Sequence, residues 1–121
     1  DYDQADGYFE QALRMRPDYP TPYYGIGVTA LRRGEGLGRA GNVSEATKYL
    51  DKSEAYFTRA IQLNPQYVKA HNQIGYLFAT TGRPAPALEH LNRVLQLVRH
   101  GQDYEFAKNL KSQIEARGGG K

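Results

Sequence analysis

Few residues of this chain are spaced for chemistry. Gly36-Leu37-Gly38-Arg39-Ala40-Gly41 fits GxGxxG, the spacing with which backbone N–H groups at a helix N-terminus cradle a phosphate. That mechanism needs a strand before the glycines and a helix opening behind them. Here a helical pattern precedes, so the segment reads as a flexible loop in which Arg39 could at most hold an anion. His71, His90 and His100 have no mutual spacing that puts two on one helical turn. His71 falls on an apolar helical face, where a structural imidazole is expected rather than a metal ligand. No Ser/His/Asp or paired-carboxylate arrangement can be drawn, and with no Cys there is no thiolate nucleophile, disulfide or Cys-based zinc site. Asn42-Val43-Ser44 is a glycosylation sequon by pattern, unaccompanied by a secretory signal. The expectation is therefore a non-enzyme with no cofactor and no metal.

Composition agrees with work done by contact. The 121 residues fit one compact domain, and 40% hydrophobic with 24% charged residues excludes wholesale disorder. The net charge of +3 is spread out, and Arg32-Arg33 is no denser than an ordinary helix end, so the basic stripe that nucleic-acid binding needs is missing. No apolar run reaches the roughly 18–20 residues that cross a bilayer, and no signal segment opens the chain. Membrane insertion is not expected, and a cytoplasmic setting is favoured. The first residue is Asp rather than Met, as in a processed or excised chain.

The elements that must position any site repeat themselves. Residues 5–34 slid onto 53–82, an offset of 48, pair Tyr8/Tyr56, Phe9/Phe57, Ala12/Ala60, Pro17/Pro65, Tyr19/Tyr67, Ile26/Ile74, Gly27/Gly75 and Gly34/Gly82. An offset of 34 pairs Phe57/Leu91, Ala60/Val94, Ile61/Leu95 and Leu63/Leu97. Tyr23, Ile26, Gly27 and Ala30 share a helical face over 22–33, and His71, Ile74, Gly75 and Phe78 do so over 70–81. Gly34 and Gly82 follow these helices, where a left-handed residue closes the last turn. Second helices carry Ala5, Phe9, Ala12 and Leu13, then Phe57, Ala60 and Ile61, then Ala87, Leu91, Val94 and Leu95. Pro17 and Pro65 stop two of them, and Asp51 with Glu54 reads as an N-cap pair for the middle one. No stretch alternates like a strand, so the fold is all-α.

With these residues the chain resembles the tetratricopeptide repeat family. The 34-residue helix–turn–helix unit agrees, as do His71-x2-Ile74-Gly75-x2-Phe78 followed by Gly82, Ala87, Leu91, Val94 and Leu97, and the endings Met15-Arg16-Pro17 and Leu63-Asn64-Pro65. The resemblance covers about residues 2–99 and implies a right-handed α-α superhelix of about six helices, acting as a protein-interaction scaffold. Where the family places an aromatic residue at the start of the first helix, this chain has Tyr23 and then His71; Arg99 stands where a closing proline is usual.

The units divide as a half repeat at 1–17, a repeat at 18–65 with an insertion at 35–48, a standard repeat at 66–99, a capping helix at 102–117 and a flexible tail at 118–121. The insertion reads as a Gly-rich loop followed, from about Ser44, by extra helical turns. The half repeat lacks its first helix, so an upstream helix is expected in the parent protein. Phe106, Leu110 and Ile114 are expected to lay the capping helix onto the last repeat.

In such a solenoid the first helices line a concave groove. The face opposite their packing residues carries Tyr24, Val28, Leu31 and Arg32, then Lys69, Asn72, Gln73 and Tyr76. Tyrosine supplies contact area and a polar tip at low entropic cost, so this face is the expected site for a peptide or helix of a partner protein. The Lys/Asn/Arg carboxylate clamp of some family members is met only at Lys69, with Gln73, Gly25 and Val28 where its other residues would stand. Two alternatives remain: self-association into a homo-oligomer, and anion or nucleic-acid contact through Arg32, Arg33 and Arg39.

Overall fold

The computed structural model describes residues 1–118. Residues 119–121 of the tail expected at 118–121 lie outside the described residues; Gly118 itself closes the last helix at φ +76°. Six helices follow one another: α1 (Tyr2–Met15), α2 (Pro20–Arg39), α3 (Val43–Leu63), α4 (Val68–Thr80), α5 (Pro84–Leu97) and α6 (Gln102–Ala116). There is no strand among the described residues. No helix of the described chain is long and apolar enough to cross a membrane.

Helix boundaries follow local chemistry. The Asp1 carboxylate accepts from the amides of Asp3 and Gln4 at 2.9 and 3.2 Å, capping α1. Asn42 caps α3 through the Glu45 amide. Pro20 and Pro84 begin α2 and α5, where the missing N–H would have had no intrahelical partner. Pro17 and Pro65 lie just past the ends of α1 and α3, as expected. The Asp51 cap is corrected: Asp51 lies inside α3, whose start is eight residues earlier.

The chain forms two compact units, residues 1–65 and 66–121. The second holds the simpler hairpin. α4 ends at Gly82 (φ +78°), and the Arg83 amide reaches back to the Phe78 carbonyl at 2.8 Å, a Schellman closure. α5 then returns antiparallel. Gly75 lies so close to α5 that a Cβ there would stand 2.9 Å from Leu91 Cδ2. Ala70, Ile74, Leu77, Ala87, Leu91 and Val94 are buried, and α6 adds Ala107 and Ile114.

The first unit uses the same hairpin in a longer form. The loop expected at 35–41 is helix: α2 runs through Gly34, Gly36 and Gly38 and closes at Gly41 (φ +84°). There the Asn42 amide bonds the Leu37 carbonyl at 2.9 Å and the Gly41 amide that of Gly38 at 3.0 Å, the same Schellman pattern as at Gly82. Gly34, the counterpart of Gly82, is therefore an interior helical residue. The insertion is shared by both arms, about seven residues at the end of α2 and seven at the start of α3, roughly two turns each.

Seven residues keep the helical phase, so the added turns reuse the packing below them. Gly27 faces Phe57, with a virtual Cβ 2.6 Å from Phe57 Cδ1; seven residues on, Gly34 faces Leu50, seven residues back, at 2.8 Å. Ser53, fully buried in α3, donates its hydroxyl to the Gly27 carbonyl at 2.7 Å; one heptad earlier Ala46 is buried beside Gly34. Without a Cβ on α2, large α3 side chains enter its groove and the helices approach closely.

Glycines at this seam and elsewhere are thus separable by stability. Gly27→Ala is expected to destabilise the chain by about 1–3 kcal/mol through overpacking against Phe57. Gly7→Ala, in α1 with nothing within 4 Å of its virtual Cβ, is expected to stabilise it by about 0.5–1 kcal/mol. Urea unfolding of both variants reads the difference; equal shifts of one sign contradict the packing argument.

Candidate functional site

The expected groove residues separate into surface and core. In the first unit Tyr24 and Val28 are half-buried and Arg32 is exposed on α2. The Tyr24 ring rests 6.0 Å from that of Phe57. Leu31, expected beside them, is a correction: it is only 3% exposed and belongs to the core. On a helix, a residue three positions from Val28 has already turned about 60° out of its line, which suffices to bury it.

In the second unit Lys69 is exposed and Gln73 and Tyr76 are half-buried. Asn72 is the second correction, at 3% exposure. Its side-chain amide donates to the Asp103 carbonyl at 3.0 Å, while its Oδ1 accepts no hydrogen bond. Lys69 reaches the Asp103 carboxylate at 3.5 Å. Both residues tie α4 to the first turn of α6, and Asn72 is buried in that contact rather than on the open face.

α6 itself is rotated from the expected orientation. Ala107 and Ile114 are its buried residues, while Phe106 is 38% exposed and Leu110 half-buried. Small Ala107 permits close approach, and the bulkier Phe106 is displaced to the edge of the contact. There its ring lies 6.4 Å from that of Tyr76. Tyr76, Phe106 and Leu110, with Asn109 and Gln113 beside them, line an open pocket of about 210 Å³. Sequence reasoning missed four of these five, although Phe106, Asn109, Leu110 and Gln113 carry the i, i+3, i+4, i+7 spacing of one helical face.

Two of the basic residues of the first unit, Arg33 and Lys52, are paired with carboxylates of α1. Arg33 donates to Asp3 at 2.8 Å and to the Tyr49 hydroxyl at 3.1 Å, with the rings of Tyr2 and Tyr49 at 5.2 and 4.9 Å from its guanidinium carbon. These contacts hold the Asp3 carboxyl below its usual range, chiefly by the hydrogen bond from Arg33. Lys52 approaches Asp6 at 3.7 Å, and Asp6 accepts from the Thr29 hydroxyl at 2.5 Å. The GxGxxG segment is helical, with its amides used in the helix ladder and the Schellman closure. The flexible loop expected over the GxGxxG glycines is thus corrected to helix, and of the three arginines Arg33 is engaged within the first unit while Arg32 and Arg39 are exposed.

Two histidines that sequence spacing kept apart meet across the α4–α5 hairpin. Nδ1 of His71 lies 2.9 Å from Nδ1 of His90, so one ring donates to the other. Their places in the repeat are those of Tyr23 and Tyr56, whose rings lie 6.0 Å apart in the first unit. The equivalence was legible: the 48- and 34-residue offsets carry Tyr23 to His71 and Tyr56 to His90. Among the described residues no group of three His, Asp or Glu could hold a metal ion.

Geometry and sequence define a protein of repeated, antiparallel helical hairpins. A family model described as Tetratricopeptide repeat matches residues 1–52 and 37–101. The chain belongs to the tetratricopeptide repeat family, whose repeats are generally non-catalytic protein–protein interaction modules. No curated protein matches the chain.

The histidine pair makes stability depend on pH. Burial, and secondarily the neighbouring His71, lowers the His90 pKa below its ordinary 6.5, with Glu89 opposing. The unfolded chain then binds the proton more readily than the folded one. The contribution of neutral His90 to stability is fully present above about pH 6.5 and is lost as the pH drops through that value toward the folded pKa. Unfolding midpoints are expected to be lower at pH 5 than at pH 7.5, with a smaller difference in His90→Gln. An unchanged difference in a folded His90→Gln excludes His90 as the source.

Proposed function

We infer that the chain binds an extended peptide segment of a partner protein, with the Tyr76–Phe106–Leu110 pocket of the second unit holding an apolar side chain. The open pocket between α4 and α6 is the observation that carries this reading. Its floor is aromatic and aliphatic, and Asn109 and Gln113 place neutral amides at its edge. Each such amide offers two donors and an acceptor, which match the alternating groups of an extended backbone. Gln73, half-buried on α4, and exposed Lys69 extend the polar margin. On the first unit Tyr24, Val28 and Arg32 offer an apolar-and-basic face of its own. Leu31 and Asn72 take no part in contact.

Aromatic anchors in pockets dominate such interfaces, and truncating one typically costs 2 kcal/mol or more, roughly 30-fold in Kd. The partner segment recovered by a peptide-display selection against the folded chain is expected to lose at least that affinity to Phe106→Ala and to Tyr76→Ala. Its binding should persist in Lys108→Ala, on the exposed side of α6. Equal affinity of the Phe106 and Tyr76 variants for that peptide moves the site away from this pocket.

Self-association has its own supporting observation. Tyr8 and Met15 of α1 are 66% and 78% exposed and, with Gln4 and Gln11, share one face of that helix. A second copy docked there is expected to raise the scattering mass with concentration, and Tyr8→Glu to abolish the rise. A constant monomer mass at up to millimolar chain removes this alternative.

A further inference from the structure

The last two turns of α2 are built to weaken a helix that its surroundings would accept in a stronger form. Gly34, Gly36 and Gly38 alternate there with Glu35, Leu37 and Arg39. In a helix interior each glycine lowers the formation constant roughly four- to fivefold relative to alanine, because more backbone freedom is lost. Gly34 has a packing reason: a Cβ would stand 2.8 Å from Leu50 Cδ2 and 3.2 Å from the Ala46 carbonyl oxygen. Gly36 and Gly38 have none. A Cβ on Gly36 meets nothing within 4 Å, and one on Gly38 meets only the Ala46 Cβ at 3.9 Å. Neither has the positive φ that demands glycine.

The facing arm is firmer. The first turns of α3 are capped by Asn42 at the Glu45 amide, and carry the Glu45–Lys48 ion pair at 3.0 Å, the buried Ala46 and the half-buried Leu50. Against them, Gly38, Arg39 and Ala40 are exposed, and Leu37 is the single large apolar residue of the α2 end. The two sides of one hairpin tip thus differ in local stability, and the weak side is the segment added to the repeat.

We propose that residues 35–41 form a local unfolding unit that unwinds from Gly34 while α3 stays helical. Unwinding removes Gly38 from Ala46 and uncovers that end of α3, while Gly34 keeps its contact with Leu50 and Leu37 and Arg39 are freed as an extended segment. The tip is then a two-state element of the hairpin, closed as helix or locally open. The glycines set the open population, and only Gly34 among them is also required by the closed form.

Amide hydrogen exchange of the whole chain at neutral pH tests this. Amides of 37–42 are expected to exchange faster than those of Gly27–Leu31 in the same helix. Gly36→Ala/Gly38→Ala should slow exchange of 37–42 roughly 20-fold, the product of two fourfold to fivefold effects, while leaving α5 amides unchanged. Gly34→Ala should instead speed it, through the clash with Leu50 and Ala46. Uniform protection along α2 in the unaltered chain overturns the proposal, as does a double substitution that leaves 37–42 unchanged or slows α5 equally.

Discussion

Both hairpins depend on the same omission, a missing Cβ where one helix crosses the other. Gly27 receives Phe57, Gly34 receives Leu50 and Gly75 receives Leu91. At each place a methyl group would overlap the incoming side chain, so the distance between helices is set by backbone rather than by side-chain thickness. Close approach also brings Ser53 within 2.7 Å of the Gly27 carbonyl, a buried hydroxyl satisfied inside its own hairpin. Glycine weakens a helix in isolation but is repaid where it lets a full aromatic or leucine be buried. The hairpin, rather than the single helix, is accordingly the packed unit of each repeat.

That constraint explains how the first repeat holds fourteen extra residues without a loop. Dividing them about equally between α2 and α3 advances both helices by two turns, and the glycine seam continues in register from Gly27–Phe57 to Gly34–Leu50. An unequal division would have rotated one arm relative to the other and turned polar residues into the contact. The Schellman closure is simply moved from the position of Gly34 to Gly41. Local propensity around Gly36 and Gly38 favours a loop, but packing against α3 decides otherwise.

What could be read in the sequence follows from this balance. Helix faces at Tyr23–Ala30 and His71–Phe78, the proline stops and the Gly82 closure are local or periodic features, and they appear where expected. The continuous α2 did not announce itself, because its glycines look identical in a loop and in a seam; the clue was the seven-residue step from Gly27 to Gly34 matched by Phe57 to Leu50. The candidate site was only half legible. Tyr76 and Gln73 stand on the surface as their face suggested, but Leu31 and Asn72 are buried, since a helical wheel gives angles and not the reach of neighbouring helices. α6 illustrates the same limit: Ala107, the least conspicuous apolar residue, lies at the centre of its contact, and Phe106 is left at the edge beside Tyr76.

Charge is arranged around these seams rather than gathered into a patch. Asp3 and Asp6 of α1 face Arg33 of α2 and Lys52 of α3, and Tyr2 and Tyr49 flank the Arg33 guanidinium. The aromatic rings add cation–π contact to the guanidinium, whose ion pair with Asp3 lies at the solvent-exposed surface. An arginine held this way helps to fix α1 against the hairpin. The acidic excess of residues 1–20 is therefore structural in part: it neutralises cations that the hairpin presents to α1. Open apolar surface remains where neutral side chains line it, at Tyr76, Phe106 and Leu110, and such a surface favours shape and hydrogen bonding over long-range attraction.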